Sequence, residues 1–459
     1  MSARDGMAER TDAAPSPIAH RLAYPLYQDL RMFTRPFGLL QAWEFNGWKP
    51  ESMSWKTGCY IHAGLSGPSQ MTFTGPEAGE FLSSICINGF SNFQHGGSKH
   101  AVMLTENGLI ASHSLLQRDA EDRFRMFAAP PWAIYQAAKS PFDVQFTVDE
   151  IYLLQVAGPT ALQTLERATD EDLRDVGFLR FRPTSVDSKP TEICRIGMSG
   201  TLAYELRGPI ADGPEIYDAV ARAGADFGIE RLGWRTYMVN HVEGGFPQLS
   251  WTFMFAAYED PGYAEFAGTA DAPIISGSVD PADMRARYRT PVELDWHRAA
   301  RFDHEFLGCE ALEAEVSDPK RTIVTLRWDP EDVIDIYASL LRPGEEYKTL
   351  DLPTHPYHRG AHAHADHVLK DGKPVGISSG IVYSYYFREV ISHCTIDIDL
   401  AHLGTEVIVK WGDFGGKIKD VRATVARFPY LDLEPNQTYD LSRVPSGLPR
   451  TGSAVGQGR

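Results

Sequence analysis

A carboxylate set among apolar neighbours is the sharpest chemical signal in this chain. Glu205 stands in Ala203-Tyr204-Glu205-Leu206, just after the Gly-rich bend Gly197-Met198-Ser199-Gly200. Burying a carboxylate is costly unless it is paired or accepts hydrogen bonds. An ion pair with a neighbouring arginine would meet that need. So would bidentate acceptance from a heterocycle with adjacent N–H groups, such as a pterin. Histidine gives the loudest compositional feature: His355, His358, His362, His364 and His367 crowd one segment and could ligate zinc or nickel. Their spacing closes no tetrahedral site, so we read 355–367 as a solvated loop between strands and expect no metal. The chain has no GxGxxG, no GxxxxGK[ST] and no HExxH. That removes the usual signatures of dinucleotide binding, P-loop chemistry and zinc proteolysis.

These residues need a frame to position them. Gln70 to Gly75 alternates with period two and ends in a Gly-Pro turn, and Glu77 to Ile85 then carries helical spacing. The pattern returns at Ile151 to Val156, with Gly158-Pro159 followed by a helical stretch from Thr160. Two strand–turn–helix units about 80 residues apart predict a pseudo-repeated α+β core. Cys194 to Leu206 reads as strand, loop and strand, and Pro214 to Phe227 as an amphipathic helix. Past residue 315 the runs Thr322–Trp328, Val375–Tyr385, Val390–Ile398, Thr405–Val409 and Lys419–Ala426 predict an antiparallel C-terminal unit. We therefore expect a flexible arm over 1–20, an α/β core over 21–315 in two subdomains, a β-domain over 316–440 and a flexible tail over 441–459.

Composition narrows the partners. In 459 residues, 44 Lys+Arg face 61 Asp+Glu, a formal charge of −17. So acidic a surface disfavours nucleic acid and anionic membrane, while a pocket can still be locally basic. Five scattered cysteines without a CxxC pair, and a polar N-terminal stretch, lead us to expect reduced thiols and a cytoplasmic protein. The aromatic residues between Tyr24 and Tyr60 would suit a flat arene, but we read most of them as core.

The segment Arg195 to Gly208 resembles the glycine-bend stretch of the aminomethyltransferase family, the T-protein of the glycine cleavage system. Further similarities follow in order: Leu232-Gly233-Trp234-Arg235-Thr236-Tyr237, Glu243-Gly244-Gly245, Glu293-Leu294-Asp295-Trp296, Phe306-Leu307-Gly308, Val375 to Gly380, Gly404 to Val407, and Phe428-Pro429-Tyr430. They cover about residues 50 to 430. Within the family, Trp55 to Cys59, Arg235 to Tyr237, Phe302 to Gly308 and Ile336 to Leu340 resemble the tetrahydrofolate-dependent O-demethylases of methoxylated aromatic acids.

The resemblance implies three domains around a central folate cavity, the last an antiparallel β-barrel. It implies tetrahydrofolate as cofactor and a small methylated, aromatic substrate. Glu205 would hold the pterin, with Tyr204, Arg235 and Trp296 as further cofactor-side candidates. Arg235 reads equally as a structural ion-pair residue, and Trp296 as a filler of the domain interface. Tyr237 resembles the tyrosine with the acid/base role, and His113 falls at the position of the family's catalytic aspartate; a buried core tyrosine and a structural histidine are the plain alternatives. The donor side departs from the vanillate type: Phe127-Ala128-Ala129-Pro130 stands where a basic residue is expected, and Phe246 where a tryptophan is. An N-methyl or S-methyl donor therefore remains a rival. A folate-binding protein without transfer is the other, although the Lys-Gly-Cys-Tyr motif of such proteins is absent from 235–245.

Overall fold

One long strand organises the first half of the molecule. The computed structural model describes residues 32–34, 41–63, 69–127, 131–249, 251–267, 274–353 and 362–448, so the expected arm and the histidines His355 and His358 lie outside the described residues. Strands β1 (Met32–Thr34) and β2 (Gln41–Glu44) form a two-stranded ribbon. The ten-stranded sheet contains β3 (Cys59–His62), β4 (Ser69–Thr74), β5 (Gly97–Leu104), β6 (Ile110–Ala120), β7 (Arg123–Phe127), β8 (Gln145–Ala157), β9 (Phe181–Val186), β10 (Lys189–Cys194), β11 (Ala203–Pro209) and β12 (Ile229–Arg231). The first half of β8, Gln145–Glu150, pairs with β4. Its second half, Ile151–Ala157, pairs with β11, and its last residues also pair with β3.

The change of partner is written in the residues. Through Gln145–Glu150 the side chains are exposed or half-buried, whereas every residue of Ile151-Tyr-Leu-Leu-Gln-Val-Ala157 is buried. A strand covered on both faces reads as a continuous apolar run. Gln155 is the polar exception within it, and it sits in the site.

The expected repeat is present. β4 runs through Gly75-Pro76 into helix α2 (Ala78–Ile85), α1 being Trp48–Thr57, and β8 runs through Gly158-Pro159 into α4 (Ala161–Thr169), α3 being Trp132–Lys139. Both turn glycines have φ +132°, and a Cβ would meet the Asp143 carbonyl oxygen at 2.5 Å in the first and that of Gly58 at 2.3 Å in the second. Only glycine fits either place. Helix α4 and α5 (Gly213–Ala223) cover one face of the second half-sheet, burying Ile61, Leu154, Val156, Tyr204 and Leu206 with Leu162, Leu165, Ile216 and Val220. Helix α6 (Trp234–Gly244) covers the opposite face, with Tyr237, Met238 and Val242 against Tyr60, Ala157 and Ala203.

Strands β14 (Arg321–Trp328), β16 (Asp366–Lys370), β17 (Lys373–Ser384), β18 (Glu389–Asp397), β19 (Glu406–Trp411) and β20 (Lys419–Ala426) close into a barrel in the order β14-β18-β17-β16-β19-β20. Its core holds Trp328, Val368, Ile396, Val409 and Trp411. The fold is thus mixed α+β with a closed six-stranded antiparallel barrel.

Two expectations need correction. The histidine segment is not all loop: His362–His364 is strand β15, parallel to β13 (Ile274–Ser276), and His367 lies in β16. His364 is buried, its Nε2 at 2.6 Å from Asp366 Oδ2 and its Nδ1 at 2.9 Å from Ser276 Oγ. Its polar character serves that local network. The expected tail is also packed as far as residue 448. Val444 joins the core under α4, and the Gly447 N–H donates to Glu166 Oε2 at 2.8 Å. Among the described residues no helix is long and apolar enough to cross a membrane.

Candidate active site

Three residues stand side by side across the sheet. His62 on β3 pairs with Gln155 on β8, and Gln155 with Glu205 on β11. Directly opposed residues share a face, and here it is the face under α6. Glu205 is 4% exposed. Its Oε1 accepts from Gln155 Nε2 at 3.2 Å, and its Oε2 accepts from Arg207. Arg207 also reaches Glu192 at 3.4 Å, and Arg125 bridges Glu192 and Asp119 at 2.6 Å each. A chain of alternating charges therefore anchors the Glu205 carboxylate while leaving lone pairs on both oxygens.

Helix α6 supplies the other wall. Tyr237, Asn240 and His241, at i, i+3 and i+4, share one helical face. The Tyr237 ring stacks on His62 with centroids 3.9 Å apart. Its hydroxyl is buried next to Gln155 and meets no group at good hydrogen-bond geometry. Burial, and then the nearby Tyr60 and Glu205, raise its pKa well above that of a free phenol. Tyr237 is therefore a protonated donor without a partner. Asn240 Nδ2 donates to the Tyr60 hydroxyl at 3.0 Å, while Asn240 Oδ1 is buried and unpartnered. His62 donates from Nδ1 to the Leu232 carbonyl at 2.8 Å, which leaves Nε2 a bare acceptor, also buried and unpartnered. Burial pushes His62 down to about 3 and His241 to about 4, so both rings are neutral at physiological pH.

The Gly-rich bend fits tightly against the end of α6. Gly200, at φ +75°, approaches so near that its Cβ would lie 2.8 Å from the Gly244 Cα. Below that contact, Glu243 is clamped by Lys56 Nζ at 2.5 Å and by the barrel's Ser384 Oγ at 2.6 Å. Core, helix and barrel are thereby held in one register.

A second group of rings continues from α6. His241 contacts Phe246 at 6.1 Å, and Phe246 contacts Trp296 at 5.6 Å, His100 at 5.6 Å and His113 at 6.0 Å. His100 on β5 and His113 on β6 are diagonal neighbours, with Nε2 of the first 3.2 Å from Nδ1 of the second. Burial pushes His100 down to about 4; burial and then His100 hold His113 well below an ordinary imidazole. A separate cleft of about 1070 Å³ opens at one barrel mouth among Trp48, Trp328, Tyr337 and Tyr383; Glu205, Tyr237 and His113 do not line it.

The structure brings Glu205 and Tyr237 together and places His113 with Trp296 at the far end of the same aromatic wall. Tyr204 is not in the site: its ring lies on the other face, in the core under α4 and α5. Arg235 points away from Glu205, bound to Glu44 at 2.9 Å and to the Leu352 carbonyl at 3.3 Å. Sequence reading missed His62, Gln155, Asn240 and His100. Gln155 had a signal, as the lone polar residue of a buried run; the others are legible only from strand pairing and helix facing.

Fold and site together define a class. Residues 32–251 match the GCVT N-terminal domain model. A Sinomonas protein, sesamin methylene transferase, is 37% identical over 88% of this chain and 93% of its own length. The chain belongs to the aminomethyltransferase family, whose members use tetrahydrofolate in one-carbon transfer. Syringate O-demethylase of a Sphingobium species is 29% identical over 84% of this chain and 89% of that protein. The crystal structure of the glycine cleavage system aminomethyltransferase T from Bartonella henselae shares the fold, with TM-score 0.67 at 17% identity over 91% of this chain and 98% of that one. The residues present suit a tetrahydrofolate pterin, since Glu205, His62 Nε2 and Asn240 Oδ1 are buried acceptors and the pterin is rich in N–H donors.

Proposed function

We propose that this chain moves a methyl group from a methoxylated aromatic compound to N5 of tetrahydrofolate, giving 5-methyltetrahydrofolate and a phenol. The observation that carries the reading is the Tyr237 hydroxyl, which is buried, protonated, unpartnered and set beside the Gln155–Glu205 pair. Displacing an unactivated phenolate needs a proton or hydrogen bond at the leaving oxygen and in-line alignment of nucleophile, carbon and oxygen. Tetrahydrofolate supplies the nucleophilic amine. Glu205, His62 Nε2 and Asn240 Oδ1 would hold the pterin by accepting from its N–H groups. Tyr237 holds a proton for the departing oxygen, and stacking on His62 limits its ring to one orientation. Neutral imidazoles and the packed α6 exclude water from the transfer.

A second reading is favoured by one observation: the relative 37% identical over nearly its whole length is named a methylene transferase. There the carbon would bridge two aryl oxygens, and both C–O bonds would break. The two readings differ in product. Purified chain should be incubated with tetrahydrofolate and either a methoxylated or a methylenedioxy arene, and the folates separated by chromatography. We expect 5-methyltetrahydrofolate from the methoxylated arene. Methylenetetrahydrofolate with a catechol, from the methylenedioxy arene only, would establish the second reading. Tight folate binding with no folate product from any donor would sink both.

A further inference from the structure

The donor end of the aromatic wall has a charge character of its own. His100, His113, Phe246, Phe253 and Trp296 lie ring to ring there, with His113 at 4.9 Å and Phe253 at 5.8 Å from Trp296. Among the described residues, no arginine or lysine stacks on any of these five rings, and the arginines of the surrounding core have partners of their own. Arg118 donates to the carbonyls of Phe93 and Ala120, Arg125 to Asp119 and Glu192, and Arg207 to Glu205 and Glu192. Arg289 donates to the carbonyls of Ala286 and Tyr288, and Arg301 to those of Arg298 and Ala300. Lys99 neighbours His100 in sequence, and strand alternation turns it to the other face, where its ammonium lies 5.2 Å from the Phe93 ring.

The imidazole pair adds a directional feature. A single proton joins His100 Nε2 and His113 Nδ1, and with both rings neutral their two outer nitrogens present one N–H and one bare nitrogen. When His100 donates, His113 carries its own proton on Nε2. That atom is buried without a partner. An orphaned donor of this kind is satisfied by an oxygen acceptor on a ligand.

We infer that the methyl donor is an uncharged aryl ether, without a ring carboxylate, and that the His100–His113 pair recognises it through a hydrogen bond from His113 Nε2 to a donor oxygen. The inference rests on the transfer reading above and names the substrate class for the same site. A carboxylate entering here would be desolvated against neutral rings, with no cation among the described residues that contact them. A quaternary ammonium or sulfonium could lie against the rings, but its methyl groups leave the His113 N–H unmet. The reaction balances without a further reactant. The methyl C–O bond breaks with its electron pair going to the aryl oxygen, the amine lone pair forms the N–C bond to the methyl carbon, and the proton lost by the amine matches the one gained by the phenolic oxygen.

The test compares 1,2-dimethoxybenzene with 3,4-dimethoxybenzoate, the same ring bearing a carboxylate, and with a trimethylammonium donor. Both kcat/KM and calorimetric affinity in the presence of tetrahydrofolate should be measured. We expect the uncharged ether to exceed the benzoate by at least about 100-fold in both. His113→Arg should narrow or reverse that ratio by about 10-fold or more, and His113→Leu should weaken the uncharged ether while folate affinity holds. Equal or better use of the benzoate, or preference for the ammonium donor, overturns the inference and leaves the transfer reading standing. If no donor transfers, the transfer reading fails, and the calorimetric ratio still decides the charge preference.

Discussion

The two ends of the site are built from opposite polar chemistry on one continuous wall. Around Glu205 stand three buried acceptors with capacity to spare: the carboxylate itself, His62 Nε2 and Asn240 Oδ1. At the other end His113 Nε2 is buried and unpartnered, and the described rings that touch His113 are those of His100, Phe246, Phe253 and Trp296, none of them charged. Between them Tyr237 offers a lone hydroxyl. The acceptor end suits a heterocycle dense in N–H groups, and the neutral end suits an ether oxygen. The charge differs for a physical reason. Glu205 can remain ionised in the interior because Arg207, Glu192, Arg125 and Asp119 form an alternating chain behind it. Among the described residues no such chain stands behind His100 and His113, and the polar groups that face each other there are neutral rings.

The sharpest break of this comparison falls at the junction. In Tyr237→Phe the ring and its stack on His62 survive, and only the hydroxyl is lost. A positioned acid contributes about 10²- to 10⁴-fold. We expect a loss of that size in kcat, with little change in KM for either substrate. A donor with a better leaving group, such as an electron-poor aryl ether, should suffer less. Turnover of the native donor within about twofold of wild type would make Tyr237 a core residue.

Glu205→Ala tests the acceptor end alone. Losing a charge-assisted bidentate contact costs on the order of 2–4 kcal/mol, about 30- to 1,000-fold in tetrahydrofolate affinity by calorimetry. The donor's own affinity should hardly move, because His113 and His100 are untouched. Since the change also strands Arg207, Glu205→Gln should be measured beside it, with a thermal melt for each. Wild-type folate affinity in a folded Glu205→Ala variant would remove the carboxylate from the site.

Much of this was legible in the residues, and the gaps follow from geometry. Gly75-Pro76 and Gly158-Pro159 announced the repeat because a glycine at φ +132° with backbone 2.5 Å or less from its would-be Cβ tolerates no other residue. Glu205 stood out because a carboxylate in an apolar run must be satisfied. Tyr204 was misjudged against a rule available without coordinates, for successive residues of a strand face opposite sides and both cannot enter one site. Gln155 was equally readable as the single polar residue between Ile151 and Ala157. The His100–His113 pair was not, because it depends on the diagonal register of β5 with β6, which no local pattern encodes. The histidine segment misled for the converse reason: its density drew attention, yet His364 ties Asp366 to Ser276 and packs on Trp411.

The smallest effect per group sharpens the comparison through acid. His62 is pushed down to about 3, and His241 and His393 to about 4, each by burial first; all three are fully or almost fully buried. Unfolded, each titrates near 6.5. The unfolded chain therefore binds more protons below pH 6.5, and stability present above that value is lost as pH falls toward 4. At pH 5 the loss is about 2 kcal/mol per imidazole. Asp366 works in the opposite direction. Burial pushes it up to about 7, so its folded form binds a proton first and offsets part of the loss. Calorimetric scans between pH 7 and 5 should show a falling Tm before most carboxylates titrate. A saturating uncharged ether should protect only the share that belongs to His100 and His113, the imidazoles it would contact. The share of His62, His241 and His393 should persist with the ether bound. A Tm that stays flat from pH 7 to 5 would mean these rings accept protons in the folded state, and the neutral wall would lose its physical basis.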